Sequence, residues 1–152
     1  MPSGVYSQTA RVIKSIGHVA FDAYQFEATL DFYTRVMQFP EMFRLKNGEG
    51  ELWIVYLKIS DTVFLELFPK NGEAPQEKDR HFSHLCLEVT NIEQTVFDLE
   101  QRGAPVDADV KLGQDGNKQA WTHDPEGNRI ELMEMSQNSR QRAAIAQLNE
   151  SQ

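Results

Sequence analysis

The sequence contains an internal repeat, and this repeat constrains the fold more than any other feature. Residues 16–21 (IGHVAF) and residues 82–87 (FSHLCL) each place a histidine third in a short apolar run. A helical pattern and then further strand patterns follow each run. Repeated units of this kind are copies of one supersecondary element, and they bury their apolar faces by packing together. We therefore expect the 152 residues to form one domain built from two similar halves.

The first half has the pattern of a strand, a helix and further strands. Apolar residues alternate over residues 12–21, which predicts a strand. Over residues 27–37 they recur at spacings of three and four, which predicts a helix with one apolar stripe. Two more strands are expected at residues 51–59 and 62–68, and a charged linker with Pro and Gly follows them.

The second half repeats this order. Residues 81–90 predict a strand, and Asn91 is a suitable N-cap for a helix that ends at Gly103. Three further strand patterns lie at residues 105–110, 119–123 and 129–135. Each half thus predicts a strand, a helix and about three strands, which is an α+β fold. Beyond the repeat, residues 140–148 have the pattern of a short helix.

The composition excludes several classes of function. The net charge is −8, and no cluster of Lys and Arg offsets it, which disfavours nucleic acid as a partner. No apolar run approaches the roughly 18 residues that a membrane helix needs. The single cysteine, Cys86, has no disulfide partner in the chain, as is typical of a protein from the reducing cytoplasm. These features favour a cytoplasmic protein that binds a small molecule.

Two histidines and two glutamates occupy equivalent positions in the two halves. His18 and His84 lie in the first strand of each half, and Glu66 and Glu131 lie in the last strand. Each glutamate is flanked by apolar residues, and a carboxylate buried there requires a partner. Two imidazoles and two carboxylates form a mixed nitrogen and oxygen set that suits one divalent ion of Ni, Zn, Co, Mn or Fe.

Strand alternation predicts which residues surround this metal site. Val19 and Phe21 should pack against the helix, because they alternate with His18. The residues that share a face with the candidate ligands should form a substrate pocket with an aromatic rim. Those pocket residues are Phe64, Phe68, Phe82, Met133 and Arg129. Trp53, Tyr56 and Trp121 are expected in the core or in the cavity wall.

Three segments resemble the vicinal oxygen chelate superfamily, which has the glyoxalase/bleomycin resistance/dihydroxybiphenyl dioxygenase fold. They are residues 16–21, residues 29–33 (TLDFY) and residues 124–131 (DPEGNRIE). The resemblance covers residues 13–135 and implies a single domain, in which two βαβββ modules form a half-open barrel around one metal, commonly in a homodimer. The modules would span about 13–70 and 81–135, and residues 1–12 and 136–152 would be tails.

Within the superfamily, the set His18, Glu66, His84 and Glu131 is similar to the ligands of glyoxalase I (lactoylglutathione lyase). This similarity implies a divalent-metal-dependent lyase or isomerase that acts through an enediolate on a small hemithioacetal or hydroxycarbonyl substrate. Glu131 or Glu66 would then serve as the general base. Asp22 and Lys70 stand where the family has residues that bind glutathione, and their types do not support glutathione as the thiol.

Two other functions in the superfamily remain open from the sequence. One is an Fe(II)-dependent ring-cleaving dioxygenase, and the other is a non-catalytic protein that binds a small molecule, as resistance proteins do. The pairing of the modules is open too. They could assemble within one chain, or a site could combine His18 and Glu66 of one chain with His84 and Glu131 of another.

Overall fold

The computed structural model describes residues 15–74 and 82–150. The strands and helices follow one another in the order β1 (His18–Ala23), α1 (Phe26–Asp31), β2 (Glu41–Lys46), β3 (Leu52–Lys58), β4 (Phe64–Pro69), β5 (Leu85–Glu88), α2 (Ile92–Gln101), β6 (Ala108–Leu112), β7 (Lys118–His123), β8 (Arg129–Glu134) and α3 (Arg140–Glu150). A π-helical segment, Phe32–Val36, continues directly from α1. The α+β architecture expected from the repeat is confirmed.

The strands form two four-stranded mixed sheets with matching topology. Sheet A has the order β1-β4-β3-β2, and sheet B has the order β5-β8-β7-β6. In each sheet the first and last strands of the module run parallel, and the other neighbours are antiparallel. Each module therefore repeats one strand order, as two copies of a single unit should.

One face of each sheet packs against the helices, and we call the other its open face. Alternate residues of β1, β3 and β4 point to the helix face of sheet A, where Phe21, Val55 and Leu67 are buried. Leu132 and Ile130 are buried on the helix face of sheet B. These side chains join residues of α1 and α2 in one hydrophobic core that spans both modules. Phe21 and Val19 lie on the helix side, as the alternation predicted.

Both helices that were predicted within the repeat are present. The Asn91 side chain accepts a hydrogen bond from the Gln94 amide at 3.0 Å, which caps α2 at the predicted residue. The helix predicted over residues 27–37 is α-helical only to Asp31. Beyond it the Met37 amide bonds to the Phe32 carbonyl, five residues back, which defines the π-helical segment.

The apolar pattern did not locate strand β2, although a third strand was expected after the helix of each half. All six of its residues are exposed, so neither face has the buried alternation that identifies a strand. The strand expected at residues 81–90 is shorter and begins at Leu85. Residues 12–14 and His81 of the predicted strands lie outside the described residues.

The modules meet through their helix sides. Tyr33 donates a hydrogen bond to Asp124 Oδ2 at 2.8 Å, and Thr29 donates one to Glu126 at 2.9 Å. The Phe21 ring packs edge-on against Phe82, with 5.6 Å between centroids. Within the described ranges the two sheets share no strand pairing, so they do not close into a barrel. This junction leaves both open faces free.

The predicted helix at residues 140–148 is confirmed as α3. The Ser139 hydroxyl accepts a hydrogen bond from the Arg142 amide, and Asn117 bonds to Gln141 at 2.8 Å. The first bond caps the start of α3, and the second attaches it to the loop between β6 and β7. Among the described residues, no helix is long and apolar enough to cross a membrane.

Candidate functional site

Sheet A brings His18 and Glu66 together. Ala20 pairs with Glu66 across the parallel strands β1 and β4, which places His18 and Glu66 on the same open face. His18 Nδ1 lies 3.6 Å from Glu66 Oε1. The Glu66 side chain is only 9% exposed, whereas the His18 side chain is 54% exposed. A buried carboxylate thus sits beneath an accessible imidazole.

Tyr56 is the neighbour of Glu66 on the adjacent strand. The two residues are directly opposite in the antiparallel pairing of β3 and β4. The hydrogen bond from the hydroxyl to the Glu66 carboxylate raises the pKa of Tyr56, and burial and the negative charge of Glu66 act in the same direction. Phe43 stacks on the Tyr56 ring at 4.3 Å between centroids. The neighbour of Glu66 on β3 is therefore Tyr56, an aromatic residue expected in the core or the cavity wall.

Aromatic and charged residues surround this first pair. Phe64 and Phe68 alternate with Glu66 along β4. The Trp53 ring packs edge-on against Phe68, with 6.3 Å between the ring centroids. Lys70 Nζ lies 3.3 Å from Asp22 Oδ1 and 5.8 Å from the centre of the Phe68 ring. Asp22 and Lys70 therefore form an ion pair with each other.

Sheet B repeats the arrangement with His84 and Glu131. His84 Nε2 lies 3.2 Å from Glu131 Oε2, and the side chains are 33% and 17% exposed. Ser83 Oγ lies 3.0 Å from His84 Nδ1, so the ring is held with its other nitrogen towards Glu131. A hydrogen bond to the distal ring nitrogen is how proteins orient histidines that bind metals.

Trp121 lies at the centre of the open face of sheet B. It is directly opposite Glu131 on the neighbouring strand. The His84 ring packs edge-on against it at 5.0 Å, and the Arg129 guanidinium lies 4.4 Å from the ring centre. Its indole N–H donates to Gln119 at 3.1 Å. Trp121 thus links the His84–Glu131 pair to Arg129.

Cys86 shares this face, because it pairs with Glu131 across β5 and β8. The Cys86 residue is exposed, yet partial burial of the thiol and then the negative charge of Glu131 together raise its pKa to about 11. Cys86 is therefore protonated at neutral pH, and this geometry does not favour it as a nucleophile.

The structure separates two of the predicted pocket residues from the others. Phe82 precedes β5, so strand alternation does not extend to it, and its ring contacts Phe21 on the helix side. There it lines a cleft of about 310 Å³ between the modules, with Asp22 and Glu126. Met133 shares the face of Glu131 by register but is only 8% exposed. Phe64, Phe68 and Arg129 are the predicted pocket residues that lie on the open faces and remain accessible.

The four candidate ligands form two pairs rather than one cluster. In the part of the chain that the structure describes, no three His, Cys, Asp or Glu side chains are grouped to hold a metal ion. The reason is the junction between the modules, which uses the helix sides and leaves each pair on its own open face. A single four-ligand centre requires the two open faces to meet.

The family of this chain follows from the fold and from a sequence match. A sequence profile of the Glyoxalase/Bleomycin resistance protein/Dioxygenase superfamily matches residues 15–132. The match spans well over half of the chain, and the chain belongs to this superfamily. Proteins of the superfamily bind small molecules, and many of them bind a divalent metal. No curated protein matches the sequence.

Solved structures agree with this assignment. The glyoxalase family protein from Enterococcus faecalis has 26% sequence identity and a TM-score of 0.68, and the match covers 79% of this chain and 97% of that one. Lactoylglutathione lyase from Agrobacterium tumefaciens has 21% identity and a TM-score of 0.62, with 82% and 96% covered. TnmS3, an antibiotic binding protein from Streptomyces sp. CB03234, has 21% identity and a TM-score of 0.64, with 83% and 99% covered. The last two likenesses concern the fold alone.

Proposed function

We propose that this chain is a divalent-metal-dependent lyase or isomerase of the glyoxalase type, with His18, Glu66, His84 and Glu131 as metal ligands. One observation carries the proposal. Each module sets an imidazole nitrogen beside a carboxylate oxygen at the same place on its open face, at 3.6 Å in sheet A and 3.2 Å in sheet B.

The donor set fits a first-row metal. Two ligand atoms that each lie about 2.1 Å from one ion are roughly 3.0–3.5 Å apart at the angles such ions adopt. The nitrogen–oxygen separations in the two pairs are close to this range. Glu66 is also a buried carboxylate, and a cation beside it would offset the cost of that burial.

We further propose that the complete site forms between two copies of the chain in a homodimer. The helix sides of the modules are already joined within one chain, while large side chains remain exposed on sheet A. Phe43 is 46% exposed and Trp53 is 51% exposed. Exposed apolar surface of this kind is typical of an interface. Contact between the open faces of two copies would bring His18 and Glu66 next to the partner pair of His84 and Glu131.

The bound metal would act as a Lewis acid on vicinal oxygens of the substrate. The protein would then have to move a proton between adjacent carbon atoms of a small hydroxycarbonyl compound. Glu66 lies opposite Tyr56 and is nearly buried, which suits a fixed ligand. Glu131 is more exposed and lies beside Trp121, which suits a carboxylate that accepts and returns the proton. Phe64 and Phe68 would exclude water from the site.

Metal titration of the purified protein tests the ligand assignment. We expect Glu66→Gln and Glu131→Gln each to weaken Zn²⁺ or Ni²⁺ binding by at least about 100-fold in isothermal titration calorimetry, since each removes a charged ligand. Glu100→Gln is the matched control, because Glu100 is an exposed carboxylate on α2. Unchanged metal affinity in Glu66→Gln would show that the four-ligand assignment is wrong.

Activity assays then separate this function from the other two known in the superfamily. An isomerase or lyase is expected to turn over hydroxycarbonyl substrates without oxygen when loaded with Ni²⁺, Co²⁺ or Zn²⁺. Oxygen consumption that depends on Fe²⁺ would instead identify a ring-cleaving dioxygenase. A compound that binds tightly to metal-free protein and is recovered unchanged would identify a binding protein.

A further inference from the structure

We propose that Arg129 binds a carboxylate group of the substrate, so that the substrate is a small organic acid with oxygens on neighbouring carbons. This proposal rests on the proposed function, since it places the oxygens at the metal ligands. It adds the chemical class of the substrate and the residue that selects it.

Arg129 is positioned beside the candidate ligands. It lies two residues before Glu131 on β8, which puts both side chains on the open face of sheet B. Trp121 lies between Arg129 and His84. The centre of its ring is 4.4 Å from the Arg129 guanidinium carbon and 5.0 Å from the centre of the His84 ring. The guanidinium can be no farther from His84 than these two distances together, which a small organic acid can span.

The stacking on Trp121 prepares Arg129 to bind an anion. A guanidinium lying on an aromatic face is held by cation–π attraction, and its N–H groups at the edge stay available. Carboxylates match this planar fork with two parallel hydrogen bonds. The ring of Trp121 is itself held by the hydrogen bond to Gln119. Arg129 is therefore oriented before any ligand arrives.

Among the described residues, Arg129 also has no acidic partner. The chain has a net charge of −8, and other cations elsewhere in the fold are paired, such as Lys70 with Asp22 and Lys118 with Glu93. His123 lies opposite Arg129 on β7, and its Nδ1 is 2.9 Å from Asp107 Oδ1. Asp107 is therefore already paired with His123. Within residues 15–74 and 82–150, no carboxylate forms an ion pair with Arg129. An arginine without a carboxylate partner is unexpected in an acidic protein, and a carboxylate supplied by the substrate would explain it.

Two matched probes test this assignment. The compound 3,4-dihydroxybenzoate carries vicinal oxygens at one end of a ring and a carboxylate at the other, and its methyl ester lacks only the charge. Calorimetry without oxygen would compare both probes on zinc-loaded and on metal-free protein. We expect the wild-type protein to bind the acid at least about tenfold more tightly than the ester, as charge-assisted hydrogen bonds to an arginine imply.

The variants identify the residue responsible. Arg129→Gln should bind acid and ester equally while its affinity for the ester stays unchanged. Arg129→Lys should keep only part of the preference, because lysine has the charge without the planar fork. Lys46→Gln, at the end of β2 in sheet A, removes one positive charge elsewhere and should behave like wild type. Circular dichroism would verify that each variant is folded.

The outcomes for this proposal and for the proposed function are distinguishable. Equal affinity for acid and ester in wild-type protein, or a preference that survives in Arg129→Gln, would overturn the assignment of Arg129. Failure of zinc to bind would contradict the proposed function alone, since the preference for the acid is then measured on metal-free protein.

Discussion

At the scale of single residues, the side chain opposite each glutamate defines its surroundings. Tyr56 faces Glu66 and Trp121 faces Glu131 in the antiparallel pairings of the two sheets. The sequence identified the glutamates because they interrupt apolar strands at equivalent places. It assigned Tyr56 and Trp121 to the core or the cavity wall but did not place them opposite the glutamates, because the residue opposite a given position depends on strand register. Register is set by tertiary packing as well as by local pattern.

Replacing Tyr56 by Phe tests whether Tyr56 positions Glu66. The change removes the hydroxyl that donates to the carboxylate and keeps the ring that stacks on Phe43. We expect metal affinity to fall by about tenfold, as is usual when the partner of a ligand is lost. The unfolding midpoint should change little. Calorimetry would measure the affinity, and Tyr24→Phe is the control; equal affinity in Tyr56→Phe and wild type would exclude this role.

At the scale of strands and helices, the sequence predicted most of the architecture because each module must bury one apolar face. The period of apolar residues changes where strands give way to helices, and Asn91 supplied an N-cap signal that the structure confirms. The edge strand β2 could not be predicted in this way, since none of its residues is buried. The π-helical segment after Asp31 has no pattern of its own and arises from packing.

The turn at residues 124–128 has a structural role that its residue types suggested only in part. Asp124 is 1% exposed, and its carboxylate accepts bonds from the amides of Glu126 and Asn128. It also accepts the hydrogen bond from Tyr33 in the other module. The same carboxylate therefore shapes the turn before β8 and joins the two modules.

We expect Tyr33→Phe to lower the free energy of unfolding by about 1–3 kcal/mol, because the buried Oδ2 of Asp124 loses one of its two donors and keeps only the Asn128 side chain. Burial, and then the negative charge of Asp124, raises the pKa of Tyr33 well above its usual value. The Tyr33 contribution to stability is thus complete below about pH 10 and is lost as the pH rises above that value. Urea unfolding of both proteins at pH 8 and above pH 10 would measure this. A difference that is absent at pH 8, or that grows above pH 10, would contradict it.

At the scale of the whole molecule, the structure gives the position of each His–Glu pair, and the proposed four-ligand site requires the open faces of two copies to meet. The strand pattern is the same whether two modules complete a site within a chain or between chains, so the sequence could not decide between them. The shared core joins the helix sides of the modules and directs the open faces away from that core. This arrangement is the physical basis for proposing a site between copies.

Complementation between two inactive variants tests that proposal. One variant carries His18→Ala and Glu66→Gln, and the other carries His84→Ala and Glu131→Gln. Sites that form between copies would leave one intact set of ligands in a mixed dimer. We expect the purified mixed dimer to bind one zinc ion, while each variant alone binds none at micromolar concentration. Elemental analysis would measure the metal, and an empty mixed dimer would indicate that the sites form within single chains.

The two modules differ at one equivalent position, since Tyr56 lies opposite Glu66 and Trp121 lies opposite Glu131. This difference has a consequence for stereochemistry. Two identical modules would offer a substrate equivalent surroundings at both ends of the site, and a molecule could bind in either of two orientations. Here one glutamate accepts a hydrogen bond from a phenol, whereas the other lies beside an indole that carries a guanidinium. The two ends differ in charge and in their aromatic neighbours, so a substrate with one acidic end would bind in a single orientation. The proton would then be added to one face of the carbon only, and the product would be a single enantiomer.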